Sequence, residues 1–409
     1  MNVSWTKHTT SVLLNGKILI EGGFCDTGYP GPEFFFANAE IYDPVTGIWT
    51  GTAKMISPRT GHTAFTLKDG KVLIFGGFVD GKFSSSAELY DPSTNLWIKT
   101  SSMNALRFHF ATTMLTNGTV LVVGGFNPDN KELSSAELYD PSTGIWKNIE
   151  DMNNERIYFT ASLLSDGKVL VAGGQQERSS YLNSAELFDP STGMWTHTDD
   201  MNTRRSMHKA TVLKNLKVLV TGGYSTDLVD SSELYDPSTK LWTNAGKMHD
   251  GRYRHTATLL ANGKVLVAGG HNGKGVLQSA ELYDPSTASW TKTYSMNHRR
   301  YDHTATLLEN EKVLVIGGNV YGRPHSIAEL YDPSTELWTE IEGLNMKQQR
   351  QQHTASILNN ANVLMADNDH YVSFLNKTEF YDVPKEVSTE ISKENTTLLK
   401  HSASKEATK

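Results

Sequence analysis

A pair of adjacent glycines recurs along this 409-residue chain at nearly constant spacing. The steps between successive pairs are 54, 48, 49, 49, 47 and 48 residues, and Ala366-Asp367 stands one further step along as a decayed eighth copy. A period of this length indicates an architecture in which one supersecondary unit is copied many times. The pairs are Gly22-Gly23, Gly76-Gly77, Gly124-Gly125, Gly173-Gly174, Gly222-Gly223, Gly269-Gly270 and Gly317-Gly318.

Each unit carries the same order of short segments. In the unit that contains Gly269, TATLL follows His255, the turn Asn262-Gly263 comes next, and KVLVAGG occupies 264–270. AELYDPST (280–287) and Trp290 complete this unit. Runs of four to seven Val, Leu, Thr and Tyr residues between Gly, Asn, Asp and Pro are typical of strands, and Asn-Gly favours a tight hairpin. The pattern therefore predicts a four-stranded antiparallel meander in every unit.

The second strand of each meander is apolar on both faces, as in Val265, Leu266 and Val267. A single sheet cannot bury both of its faces, whereas a ring of sheets packed face to face can. The repeat therefore predicts an all-β ring of blades. Eight units favour eight blades, and seven blades are the alternative. Met1 falls at the start of a unit, so the N-terminal segment gives no additional strand for closing the ring.

The double glycine, the Tyr-Asp-Pro and the spaced Trp resemble kelch repeats over about residues 1–382. The segments AELYDPSTGIW and KVLVAGG are similar to the kelch units of galactose-oxidase-like proteins. The resemblance implies a kelch β-propeller over 1–391. We expect units at about 1–54, 55–102, 103–151, 152–200, 201–247, 248–295, 296–345 and a degenerate 346–391, the last with a fourth strand at Val387–Ile391, and a disordered tail at 392–409.

Charge and composition exclude several classes of partner. The formal net charge is -7, which argues against nucleic acid or an anionic membrane as a partner. The chain has one cysteine, no apolar stretch of about 18 residues and no secretory pattern at its N-terminus. We therefore expect a cytoplasmic monomer without a cofactor.

Topology predicts where a ligand would bind. In an up-and-down meander, the loop after the second strand and the connector before the next first strand lie at the same end, here called the loop face. Variable loops on a fixed scaffold usually carry function, and aromatic and Arg side chains are common interface anchors. The binding candidates are Phe24, Tyr29, Phe34, Phe35, Phe78, Phe126, Tyr158, Tyr224, Tyr253, Arg254, His271, Arg299, Tyr301 and Tyr321.

A second set of charged residues recurs at fixed positions and is interpreted as architectural. An Arg stands three residues before the first strand, and a Glu stands in each third strand, with an interval of 19 from Glu40 to Arg59 and in five further pairs. A charge pair repeated in a repeated place predicts structural ion pairs or turn hydrogen bonds. The residues concerned are Arg59, Arg107, Arg156, Arg205, Arg252, Arg300, Glu88, Glu137, Glu186, Glu233 and Glu281.

Histidines such as His208, His255 and His303 open several first strands, but we expect no metal site, because equivalent residues of different blades stand too far apart for short metal–nitrogen bonds. The copper centre of galactose-oxidase-like proteins uses two Tyr and two His, one Tyr being cross-linked to Cys, and no such set can be picked out here. The sequence therefore favours a non-catalytic scaffold that binds a protein or peptide. An oxidase or a sugar-isomerase-like kelch enzyme is the alternative.

Overall fold

The structure is a computed structural model that describes residues 8–26, 33–129, 131–177, 180–321, 323–324, 327–341, 354–357, 363–366 and 379–381. These residues form seven four-stranded antiparallel sheets and, after them in the chain, a three-stranded sheet; a second three-stranded sheet and three two-stranded sheets are small pairings of the loops. Every strand of a sheet pairs with the next large strand along the chain, as predicted for a meander. In the described part of the chain, no helix has the length and apolar character needed to cross a membrane.

The first strand of each sheet neighbours the first strands of other sheets, and these strands surround the centre of the molecule. Thr354–Ile357, in the three-stranded sheet, lies beside both Thr304–Leu307 and Thr9–Val12. The first strands are Thr9–Val12, Thr63–Thr66, Ala111–Met114, Thr160–Leu163, Lys209–Val212, Thr256–Leu259, Thr304–Leu307 and Thr354–Ile357. We call the sheets blade 1 to blade 8 in this order.

The second strands form the most buried layer. Every residue of the seven second strands whose burial is described is buried, which fits their apolar character on both faces. They are Ile18–Glu21, Val72–Phe75, Val120–Val123, Val169–Ala172, Val218–Thr221, Val265–Ala268 and Val313–Ile316, and Val363–Ala366 is the corresponding strand of blade 8.

The third and fourth strands complete each blade toward the outside. The third strands are Ala39–Asp43, Ala87–Asp91, Ala136–Asp140, Ala185–Asp189, Ser231–Asp236, Ala280–Asp284, Ala328–Asp332 and Glu379–Tyr381. The fourth strands are Ile48–Gly51, Leu96–Lys99, Ile145–Asn148, Met194–Thr198, Leu241–Lys247, Ser289–Lys292 and Leu337–Glu340. The predicted fourth strand at Val387–Ile391 and the predicted tail at 392–409 lie outside the described residues.

The hydrophobic core is divided among the interfaces between successive blades. Between blades 2 and 3, Leu73 and Phe75 pack against Val120 and Trp146. The ring of Phe75 meets that of Trp146 edge-on, with 5.1 Å between their centroids. The same combination of apolar second strand, Tyr and Trp recurs at the other described interfaces, except that Phe188 replaces the Tyr between blades 3 and 4. Each of blades 2 to 6 therefore buries its two faces against its two neighbours, as the repeat requires.

The double glycine joins one blade to the next. The N–H of Gly174 donates to the carbonyl oxygen of Arg205 in the following connector, at 2.8 Å. A Cβ on Gly173 would lie 2.6 Å from that oxygen and 2.9 Å from Cε1 of His208. Both glycines also have positive φ, so a side chain would be strained and would clash here. This close approach explains why the pair recurs in every intact unit.

Short β-pairings organise the loop face. Within a blade, the connector pairs with the loop after the second strand, for example Tyr253 with His271 and Tyr301 with Asn319. Phe24–Asp26 pairs with Glu33–Phe35 as a hairpin. Further small pairings join Arg59–Thr60 to Phe78–Val79 and Lys82–Phe83, Gln175–Gln176 to Ser180–Tyr181, and Asn319–Val320 to Arg323–Pro324. The connectors and these loops therefore share one end of the molecule, as topology predicted.

Candidate functional site

The repeated Arg and Glu side chains form buried ion pairs, although not across the interval of 19 residues. Nη2 of Arg59 lies 2.7 Å from Oε1 of Glu88, which follows it by 29 residues, and not beside Glu40. The same pairing occurs at Arg107–Glu137, Arg156–Glu186, Arg205–Glu233, Arg252–Glu281 and Arg300–Glu329. The partner is the later Glu because the connector folds back onto the blade that it leads into.

Each of these pairs also fixes the connector. Oε2 and Oε1 of Glu88 accept hydrogen bonds from the backbone N–H groups of Ile56 and Ser57, and Arg59 donates to the carbonyl oxygen of Ser86. Every polar atom of the pair except Nε of the Arg has a partner. Charge-assisted bonds of this kind hold the connector at a defined height above its blade. These bonds therefore tie each of these connectors to its blade.

Two continuous rows of aromatic rings lie on the loop face. We call the first row aromatic arc 1; its successive rings are Phe78, Phe83, Phe108, Phe126, His109 and Tyr158. The second row, aromatic arc 2, contains Tyr181, Tyr224, Tyr253, His271 and Tyr301, whose neighbouring centroids lie 5.5–6.3 Å apart. Seven of the predicted binding residues therefore belong to two contiguous ring clusters.

The remaining predicted residues have other environments. Phe24 is buried and packs against half-buried Phe35, so these rings stabilise their own hairpin. Tyr321 is 69% exposed, in the loop after the second strand of blade 7. Arg299 is exposed and donates to the carbonyl oxygen of Val276 at 3.2 Å, which ties a connector to a loop. Tyr29 and the side chain of Phe34 lie outside the described residues.

A ring of residues in an unusual conformation surrounds the channel where it opens on the loop face. The position just before the first-strand His or Phe has positive φ in each of blades 2 to 7. Only blade 2 has glycine there; the others carry a different side chain in every blade, and each of these residues costs free energy in the left-handed region. The five non-glycine residues are His109, Tyr158, Met207, Arg254 and Asp302.

Contacts between these residues cross from blade to blade. The N–H of Asp302 donates to the carbonyl oxygen of Arg254 at 3.2 Å, and Met207 donates to Tyr158 in the same way at 2.9 Å. Nη1 of Arg254 lies 3.4 Å from Oδ2 of Asp302, and its guanidinium carbon stands 5.6 Å from the centroid of Tyr301. Residues at this position of neighbouring blades are therefore in contact: Arg254 with Asp302, His109 with Tyr158, and Tyr158 with Met207.

The pKa values of His109 and Asp302 depend on charged residues in other blades. Burial, and secondarily the positive charge of Arg254, lowers the pKa of His109, although these two residues belong to blades 3 and 6. Burial raises the pKa of Asp302, while Arg254 and Lys209 oppose that rise. Lys209, in the first strand of blade 5, lies just below the ring. Of these residues, His109, Met207, Lys209 and Asp302 were missed by the sequence analysis.

A position-by-position comparison of the units could have found them. At the residue before the first-strand His or Phe, the units carry Gly61, His109, Tyr158, Met207, Arg254 and Asp302, which differ in every unit. At the residue after it, Lys209 is the single charged side chain among neutral Thr and Ala residues. Variation at a position that occurs in every unit is the signal that identifies these residues.

The first-strand histidines serve the packing between blades. Nε2 of His208, His255 and His303 lies 2.9–3.0 Å from Oγ1 of a Thr in the preceding blade. Burial lowers the pKa of His208 to about 3 and that of His255 well below its ordinary value, so both rings are neutral at neutral pH. Among the described residues, no three His, Cys, Asp or Glu side chains are grouped as a metal would require.

Comparisons with known proteins agree with this architecture. Residues 36–276 match the family described as Attractin/LZTR1 beta-propeller, and residues 207–405 match the KLHDC2/KLHL20/DRC7 Kelch-repeats domain. No functionally curated protein matches the chain.

One similar solved structure is a novel fungal alcohol oxidase of the AA5 family in complex with copper. It is 19% identical, with a TM-score of 0.58 over 78% of this chain and 72% of that one. At this identity the likeness shows the fold alone. The repeats, the sheets and the match over more than half of the sequence together identify the chain as a member of the kelch-repeat β-propeller family, within the Attractin/LZTR1 propellers.

Proposed function

We propose that this protein is a non-catalytic scaffold that binds a partner protein or peptide on its loop face, around the mouth of the channel. The observation that carries the proposal is the ring of five left-handed, non-glycine residues. A strained conformation is kept where the rest of the structure imposes it, and such positions cluster at binding sites. Kelch propeller domains often bind proteins, which favours the same reading.

The composition of the loop face supports a macromolecular partner. Aromatic arc 2 ends at Tyr301, over which Arg254 lies, and both side chains are accessible to solvent. Tyr and Arg are the residue types most enriched among the energetic anchors of protein interfaces. Because the ion pairs beneath them fix the connectors, little conformational entropy is lost when a partner binds.

We also propose that the propeller has eight blades. The position of Thr354–Ile357 beside both Thr304–Leu307 and Thr9–Val12 supports this number, because a strand that closes a ring must touch the first strands on both sides. An experimental density map with Thr304–Leu307 directly beside Thr9–Val12 would contradict it.

The binding proposal is tested by replacing Arg254 and Tyr301 together with Ala. The intact variant, used as bait, should retain less than about a tenth of the partner that the natural protein retains, because two anchor side chains are lost. The melting temperature should stay within about 2 °C, since both residues are solvent-accessible. The matched control is Leu14→Ala with Val45→Ala, which removes exposed apolar surface at the opposite, turn end.

Two results would overturn the proposal. Equal retention of the partner by the Arg254/Tyr301 variant would place binding elsewhere. Steady release of peroxide from alcohols or sugars by copper-treated protein would show catalysis and favour the oxidase alternative.

A further inference from the structure

The turn between the first and second strands of blade 1 differs from the corresponding turns of the other blades. Leu14 occupies this turn and is 72% exposed. At the same position blades 2 to 7 carry polar or small side chains, so blade 1 alone among these seven has a large apolar residue there. The residues of blades 2 to 7 are Lys68, Thr116, Ser165, Lys214, Ala261 and Glu309.

The two lysines at this position show which group the space between adjacent turns accepts. Nζ of Lys68, in blade 2, contacts the carbonyl oxygen of Thr116 in the turn of blade 3, and Nζ of Lys214, in blade 5, contacts that of Ala261 in blade 6. The corresponding carbonyl oxygen opposite Leu14 is that of Lys68, and no described residue donates a hydrogen bond to it. An ammonium group of the chain therefore joins the turns of two pairs of blades, whereas among the described residues none does so between blades 1 and 2.

A cleft of about 340 Å³ lies at this place, between the turn of blade 1 and two turns of blade 2. Leu14 and Pro92 contribute apolar walls, while Asp69, Lys71 and Asp91 contribute charged groups. Binding sites usually combine apolar walls with a few polar groups that orient the ligand. The cleft therefore has the size and the mixed lining that one long side chain needs.

The charges beside the cleft favour a cation. In five blades the Lys after the first turn pairs with the Asp that ends the third strand, as in Lys17–Asp43, Lys168–Asp189, Lys217–Asp236, Lys264–Asp284 and Lys312–Asp332. In blade 2, Nζ of Lys71 lies 2.9 Å from Oδ2 of Asp69 instead, and no basic group of the described residues lies within 4.0 Å of the Asp91 carboxylate. Hydrogen bonds from Ser93 hold the pKa of Asp91 below its usual range, so this carboxylate is ionised at neutral pH. Two carboxylates and one ammonium therefore leave one negative charge here.

A second difference in blade 1 indicates that the cation belongs to a larger partner. In the turn after the third strand, Val45 is 93% exposed, whereas blades 2 to 7 carry Ser there. That Ser donates its hydroxyl to the preceding Asp, as Ser93 does to Asp91 at 2.6 Å, so valine gives up a hydrogen bond and adds exposed apolar surface. The ion pair of Lys17 and Asp43, at 3.0 Å, joins the two turns of blade 1. Exposed apolar surface of this kind is typical of contacts with another protein.

We propose that the cleft between Leu14 and Asp91 binds a lysine side chain of a partner protein. The aliphatic stem of that lysine lies against Leu14, its ammonium group bonds with the Asp91 carboxylate, and apolar residues beside it contact Val45. The stem and the single positive charge match the apolar wall and the single negative charge of the cleft. This site lies at the turn end, so it is a second binding surface that does not depend on the function proposed for the loop face.

The test uses the peptide acetyl-Leu-Lys-Leu-amide as the probe and the intact protein as the receptor, with norleucine in place of Lys as the neutral counterpart. Binding is followed at constant ionic strength by the methyl NMR signals of Leu13, which lines the cleft and is kept in every variant. The Lys peptide should shift these signals saturably, and the norleucine peptide should bind about threefold or more weakly, the loss expected for one ion pair near the surface. Asp91→Asn should lower the affinity for the Lys peptide to that for the norleucine peptide.

Matched variants separate this site from general attraction to an acidic protein. Asp189→Asn removes the same charge from the corresponding turn of blade 4, where Lys168 is already its partner at 2.9 Å, and peptide binding should be unchanged. Leu14→Lys gives blade 1 the residue of blades 2 and 5, so its own ammonium should occupy the site and the Lys peptide should no longer shift the Leu13 signals. Thr116→Lys adds the same charge in blade 3 and should have no effect. Equal affinity for the Lys peptide in Leu14→Lys and the natural protein would overturn the inference.

The source of the ammonium group is tested with n-butylammonium. It should bind more weakly than the Lys peptide, and Val45→Ser should weaken binding of the peptide alone. If n-butylammonium binds as tightly as the peptide, the site accepts free amines and the assignment to a partner protein is wrong.

The two ends of the molecule should respond to different variants. The Arg254/Tyr301 variant should bind the Lys peptide like the natural protein, whereas Leu14→Ala with Val45→Ala should weaken peptide binding and leave retention of the loop-face partner unchanged. Loss of peptide binding in the Arg254/Tyr301 variant would contradict a separate site at the turn end. Failure of either proposal therefore leaves the other intact.

Discussion

Nη2 of Arg205 lies 2.7 Å from Oε1 of Glu233, and their side chains are 0% and 2% exposed. Arg205 also donates to the carbonyl oxygens of Gly222 and Ser231, while Glu233 accepts the N–H groups of Asn202 and Thr203. The pair therefore links the connector, the double glycine and the third strand of one blade. The same linkage in six blades ties the connectors of the loop face to the buried strands beneath them.

Arg205→Met should lower the free energy of unfolding by about 3–5 kcal/mol, because Glu233 is left as a buried charge without its cation. Urea denaturation measures the change. The control is Arg204→Met at the adjacent, exposed Arg, for which we expect a change within about 0.5 kcal/mol. If the two variants unfold at the same urea concentration, the buried pair contributes nothing.

Gly173→Ala should destabilise the protein far more than Gly193→Ala. Both residues have positive φ, 63° and 73°, but a Cβ on Gly193 would touch nothing within 4 Å. Gly193→Ala should therefore cost only the left-handed penalty of about 1–2 kcal/mol. Gly173→Ala adds the clash with the Arg205 carbonyl oxygen, for a total of about 2–5 kcal/mol. Thermal unfolding of both variants measures the difference. Equal losses of stability would contradict the clash at Gly173.

The carboxyl group of Glu21 should make stability depend on pH. Glu21 is fully buried; its Oε1 accepts hydrogen bonds from Thr9 and Ser11, and Oε2 has no partner. Burial raises the pKa of Glu21 from 4.5 to about 8, although the bonds from Thr9 and Ser11 partly oppose this. The folded protein therefore holds a proton that the unfolded chain releases, and stability from this group falls as pH rises from about 4.5 to about 8.

Glu21→Gln should remove that dependence, so the variant should gain stability relative to the natural protein as pH rises through this window. Melting temperatures between pH 5 and pH 8 measure the difference. Glu150→Gln, at an exposed position, should follow the natural protein throughout. Parallel curves for Glu21→Gln and the natural protein would mean that Glu21 is ionised in the folded state.

Much of the fold could be predicted because its determinants are local. The segment that contains Val265, Leu266 and Val267 became a second strand buried on both faces. The Asp-Pro-Ser-Thr segments form local turns between the third and fourth strands; in one of them Oδ1 of Asp91 accepts the N–H of Ser93 at 2.9 Å. Every such element depends on residues close in the sequence, and repetition made the signal strong.

The arrangement of the candidate site could be predicted only in part. Arg254 and Tyr301 were found because Arg and Tyr stand out in a connector. Lys209 and Asp302 were not singled out, because their surroundings depend on residues one or two blades away. The partner of Arg59 was also misassigned by interval, since the chain direction of the connector relative to its blade decides which Glu it meets.

The sequence by itself determined the repeated unit, its four strands and the need for a ring, because each unit has two apolar faces that only neighbouring units can cover. The tertiary structure alone decided which side chains meet at the channel mouth. Residues at equivalent positions are about 48 residues apart along the chain, and packing of the blades around one axis brings them within contact distance.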